Sequence, residues 1–180
     1  MKAALLSLLL ALVILPAAAQ SKTTDALEKK FDNSMAFYFY KNTLRMLNQQ
    51  ENKEFDELIR NIEKLKFLII DKGEGRFAPS DYKKLLSDYR AENYEAIVTS
   101  RMDGRNFDIY LNDTGHTPAT VVLVNDSTSL FVLDMIGSLD VTKAGALFSA
   151  IDGSSEIGKK IKDFTEHKDT KKKSKGIHID

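Results

Sequence analysis

Few residues in this chain have types and spacing that could do chemistry. Asp113-Thr114-Gly115 repeats the triplet that carries the catalytic carboxylate of aspartic proteases, in which two such aspartates share a proton. Here Asn112 precedes the triplet and His116 follows it, where small or apolar residues are expected. The chain holds no second copy, so a dyad would need two chains. The competing reading is a polar connection between strands, the setting in which Asn, Asp, Thr and Gly belong. Histidine supplies general bases and metal ligands, and it stands only at His116, His167 and His178. No serine lies in a G-x-S-x-G elbow. Gly73-Glu74-Gly75 lacks the lysine and the third glycine of a phosphate cradle. With no cysteine, thiol chemistry, disulfides and thiolate zinc sites are excluded. These residues assemble no catalytic constellation and imply neither metal nor cofactor.

Two features point to binding instead. Phe37-Tyr38-Phe39-Tyr40 is a contiguous aromatic run, open between a short strand and an aromatic helix face, and readable as a partner surface or as part of the core or sheet edge. Lys171, Lys172, Lys173 and Lys175 crowd a tail in which eight lysines follow Glu156. Such a segment is expected to stay disordered, and its charge suits an anionic membrane or polysaccharide surface. No nucleic acid is expected as a partner, because the opposite end of the chain directs it out of the cytoplasm.

That end is a secretory leader in outline. Met1-Lys2 gives a short positive region, Ala3 to Pro16 is uninterruptedly apolar, and Ala17-Ala18-Ala19 forms an A-x-A cleavage site before Gln20. The apolar run is shorter than the roughly 20 residues that span a bilayer. The expected organisation is a signal peptide over 1–19, one domain over 20–155 and the lysine-rich tail over 156–180. The expected location is the periplasm or the exterior.

The elements that must position these residues follow from periodicity. Leu27 and Phe31 suggest a helix beginning near Thr24 or Asp25. Asn52 can cap a helix with Phe55, Leu58, Ile59 and Ile62 on one face, and Leu65 to Ile70 reads as a buried strand. Ser80 after Pro79 opens a helix whose stripe is Tyr82, Leu85, Leu86 and Tyr89. Asp103-Gly104 predicts a two-residue hairpin turn between Tyr94–Met102 and Asn106–Leu111. On the second of those strands, Phe107, Ile109 and Leu111 should face the core, with Asn106, Asp108 and Tyr110 wet. A second hairpin joins Thr120–Val124 to Leu130–Ile136 around Asn125-Asp126-Ser127. Asp140 caps a last helix carrying Val141, Ala144, Leu147, Phe148 and Ile151. The fold class is α+β: a largely antiparallel sheet of about five strands with helices on one face.

With its leader, the run EFDELIRNIEKLKFLIID before Lys72, the run YKKLLSDYRAENYEAIVTSRM from Tyr82, and Ile136-Gly137-Ser138-Leu139-Asp140, the chain resembles the domain-of-unknown-function family numbered 4252. These are small exported proteins of Gram-negative bacteria. The resemblance covers about Asp25 to Ile151, leaves the lysine tail unexplained and implies no activity. The expectation is an exported, non-catalytic binding or interaction module whose partner is another envelope protein or a small ligand. One rival is a hydrolase built around Asp113 and His116. Another is a structural envelope component held on anionic surfaces by its tail.

Overall fold

The computed structural model describes residues 20–31, 34–47, 53–73, 77–102 and 104–140. The expected leader and last helix, Asn52, Asp103, His167, His178 and the tail lysines Lys171, Lys172, Lys173 and Lys175 lie outside them. The chain divides into two compact units, Met1–Tyr38 with Leu65–Ser138, and Phe39–Lys64 with Leu139–Asp180.

The first unit begins with α1, Lys22–Lys30. Its start lies two or three residues earlier than expected because Ser21 caps it. The Ser21 hydroxyl accepts from the Thr23 and Thr24 amides, meeting two donors that the first turn would otherwise leave open. Asp25 in the first turn and Lys29 and Lys30 in the last complement the helix dipole. The second helix of this unit, α4, spans Pro79–Ala91. Pro79 itself is its first residue, one before the expected Ser80, and the Asp81 carboxylate accepts from the Ala78 amide at 2.8 Å.

Six strands form one antiparallel sheet: β1 Met35–Tyr40, β2 Ile62–Asp71, β3 Glu95–Met102, β4 Arg105–Asn112, β5 Ala119–Asn125 and β6 Ser129–Gly137. Their order is β1-β2-β6-β5-β4-β3. The sixth strand is β1, the aromatic run that sequence left open between strand and helix. The first hairpin is as expected: Met102 pairs with Arg105, leaving two residues between them, and Gly104 has φ +76°. In the second, Asn125 pairs with Leu130, and the Asp126 carboxylate accepts from the Thr128 and Ser129 amides, each at 2.8 Å.

One face of the sheet carries Leu68, Ile70, Tyr110, Val121, Leu123, Leu130 and Val132 into a core with Leu27 of α1, Phe31 just after it, and Tyr82, Leu85 and Tyr89 of α4. This corrects the expected polarity of β4. Asp108 and Tyr110 are buried beneath the helices, because the Tyr82 hydroxyl donates to Asp108 and the Tyr89 ring stacks on Tyr110 at 5.9 Å. A buried aspartate held by the Tyr82 hydroxyl and a buried tyrosine ring make this core face read as polar. Ile109, Val122 and Leu133, opposite one another on the other face, are buried too.

The second unit contains α2, Lys41–Leu47, and α3, Lys53–Ile59, which contact each other. Leu44, Phe55, Leu58 and Ile59 are buried. Ile62, expected on the face of α3, instead opens β2, which starts three residues before the expected Leu65.

Candidate functional site

A lysine in the middle of an apolar strand is the least expected residue of the core. Lys66 lies between Leu65 and Phe67 on β2, and strand alternation places it on the same face as Leu68 and Ile70. Its side chain is 3 % exposed. A buried ammonium needs partners, and α1 supplies them one turn apart: Asp25 Oδ1, and Glu28 Oε2 at 3.1 Å. The Tyr38 hydroxyl of β1 donates to both oxygens of Glu28, at 2.6 and 2.8 Å, and the Lys66 Nζ lies 5.1 Å from the centre of the Tyr38 ring. Burial disfavours the Lys66 ammonium, but its bonds to Asp25 and Glu28 outweigh that and hold it above the ordinary lysine range. Burial and the Glu28 carboxylate likewise hold the Tyr38 phenol up.

These groups line a cleft of about 620 Å³ with Gln20, Lys29 and Ser34. Small-molecule sites run about 300–1,000 Å³. A lysine kept protonated is neither nucleophile nor base, so Lys66 stands here as a charge partner. The Asp25 side chain is half exposed, so its carboxylate remains open to a donor on a ligand. Half-exposed Tyr38 offers a ring face beside it.

A second polar constellation fixes the start of α1. The Ser21 amide donates to Asp134 Oδ2 at 3.0 Å, and the Gln20 side-chain amide donates to the Asp134 carbonyl at 3.3 Å. Glu92, just past α4, accepts from the Ser21 hydroxyl, the Lys22 amide and both the amide and hydroxyl of Thr23. The Thr24 and Tyr89 hydroxyls share a bond of 2.9 Å. Asp134 is fully buried on β6, and among the described residues its Oδ1 has no hydrogen-bond partner. Burial pushes its carboxyl up to about 6, against the opposing pull of Thr24, the Ser21 amide and Lys66.

The residues singled out from sequence fare unevenly. Asp113 and His116 sit exposed in the β4–β5 connection and line neither this cleft nor the groove between α1 and α4. The turn there is built by Asn112, whose side-chain oxygen accepts from the Thr114 amide at 3.0 Å. Among the described residues no cluster of three His, Cys, Asp or Glu could hold a metal. The aromatic run splits: Phe39 is buried, Phe37 stacks on Phe67 at 6.2 Å, and Tyr38 enters the cleft. Lys66, Asp25, Glu28, Glu92 and Asp134 escaped the sequence reading. A signal existed for two of them, since Lys66 and Asp134 each interrupt a strongly apolar strand.

The family model for a domain of unknown function, DUF4252, matches residues 29–147. No curated protein and no solved structure matches the chain.

Proposed function

The chain belongs to the DUF4252 family, which assigns it no activity, and on that premise we propose that it is an exported, non-catalytic binding protein. Its ligand site is the cleft at Tyr38 and Lys66. One observation carries the reading: a cleft of about 620 Å³ whose buried ammonium is paired with Asp25 and Glu28. The groups offered to a ligand include the half-exposed Asp25 carboxylate and one Tyr38 ring face, with Lys29 and Ser34 also in the lining. They suit a small polar molecule bearing hydroxyl or ammonium donors. The leader supports a periplasmic or extracellular location.

The test is a thermal-shift panel of mono- and disaccharides and short polyamines, run on wild type and on Tyr38→Ala. A ligand present at 100 times its Kd should stabilise the protein by about 2.7 kcal/mol. The shift should vanish in Tyr38→Ala. A shift that survives Tyr38→Ala would place the site elsewhere, and a panel without any shift would count against this ligand class.

A further inference from the structure

We propose that removal of residues 1–19 creates a clamp, in which the new α-ammonium of Gln20 pairs with the buried Asp134 carboxylate and locks α1 to the sheet. The proposal rests on the export reading of the leader. The cut is hydrolysis of the Ala19–Gln20 amide by a leader peptidase: water adds across the C–N bond, Ala19 keeps the carboxylate, and the Gln20 nitrogen leaves as an amine that takes a proton.

The structure already holds residues 20 and 21 against Asp134. The Ser21 amide, one residue along, is 3.0 Å from Asp134 Oδ2. Consecutive backbone nitrogens lie no farther apart than about one residue's reach of 3.6 Å. The Gln20 side chain holds the residue against the Asp134 carbonyl. Before the cut, the Gln20 nitrogen is a neutral amide with one N–H. Afterwards it carries a charge and three donors, one residue before the amide that already reaches Asp134, whose Oδ1 has no hydrogen-bond partner among the described residues. A buried acceptor without a partner is costly, and an ammonium satisfies it with a charge-assisted bond.

The other charges and hydroxyls around Asp134 do not fill that role. From β2, Lys66 acts at a distance and is held by Asp25 and Glu28. From α1, Asp25 opposes ionisation of Asp134, and the Thr24 hydroxyl, which also bonds Tyr89, favours it but brings no positive charge. From α4 and the residues after it, Tyr89, Glu92 and Tyr94 bring no positive charge. Gln20 also lines the Lys66 cleft, so the new terminus would sit at the edge of the proposed ligand site.

The experiment compares protein beginning at Gln20 with protein carrying two extra residues, Ser-Gly, ahead of it, each as wild type and as Asp134→Asn. Urea unfolding at pH 7 should show the authentic terminus lowering the unfolding equilibrium constant roughly tenfold or more. Asp134→Asn should abolish that difference. An NMR titration of the Gln20 α-amine, which needs no variant, should place it above the ordinary 7.7–8.0 of an α-amino group. Equal stability of the two forms, an effect that persists in Asp134→Asn, an ordinary α-amine titration, or a Gln20 that mass spectrometry finds cyclised with loss of ammonia would each overturn the clamp. Finding Met1 intact on the exported protein would overturn the export reading instead, and the clamp with it.

Discussion

Asp134→Asn in the N-terminally extended chain, where no α-ammonium is present, isolates the cost of a buried carboxylate. Folding carries Asp134 from its ordinary 3.8 up to about 6, chiefly by burial. The folded state therefore favours the protonated acid. The resulting stability is complete below about pH 4 and is lost as the pH rises through about 6. A shift of two pKa units corresponds to about 3 kcal/mol between those limits. Asparagine keeps the shape and an oxygen for the Ser21 amide but carries no charge. It exchanges a charge-assisted bond for a neutral one, which returns roughly 1–2 kcal/mol of the gain. Asp134→Asn should thus be about 1–2 kcal/mol more stable than the extended wild type at pH 8, and equal or weaker at pH 4. Urea unfolding between pH 4 and 8 reads both limits, with Glu92, Asp25, Lys66, Tyr89 and Tyr94 unchanged around the site. An extended wild type whose stability is flat across that range would refute the reasoning, as would an Asp134→Asn that is equally destabilised at both ends.

Two further outcomes follow from local geometry and from sequence. Gly104→Val should destabilise by about 1–3 kcal/mol through backbone strain alone: Gly104 has φ +76° and nothing lies within 4 Å of an added Cβ, so a midpoint unchanged in urea would contradict the hairpin geometry. We propose that Lys171, Lys172, Lys173 and Lys175 meet an anionic surface. Truncation after Glu166 should then leave the unfolding temperature unchanged and abolish binding to anionic vesicles at 0.1 M salt, where the Debye length is about 10 Å; equal vesicle binding with and without the tail would remove that role.

The sheet was legible wherever alternation and turn chemistry agreed. The hairpin at Gly104 and the one around Asp126 needed only a positive φ and a carboxylate that collects turn amides, both local properties. Reading failed where a tertiary partner changes what a residue type means. Asp108 and Tyr110 looked solvated because aspartate and tyrosine usually are. Tyr82 and Tyr89, some twenty residues earlier, supply the hydroxyl and the ring that let them enter the core. β1 stayed ambiguous because four aromatics in a row carry no period, and only its place beside β2 at the sheet edge decides it.

The candidate site was hidden for the same reason. Lys66 comes from β2, its two carboxylates from α1 some forty residues away, and the hydroxyl on Glu28 from β1. No spacing along the chain records that meeting. What sequence does record is the anomaly at each end of the polar layer, a lysine inside LKFLII and an aspartate inside FVLDMI. Charge in a strand buried on both faces needs partners, and the segment at α1 supplies a charged pair for Lys66 but only a neutral donor for Asp134. It gives Asp25 and Glu28 to Lys66, and the Ser21 amide to Asp134. The Asp134 carboxylate is thus the charge that the segment leading into α1 leaves without a cation, and this is why the state of Gln20, two residues before the helix, should bear on the stability of the fold.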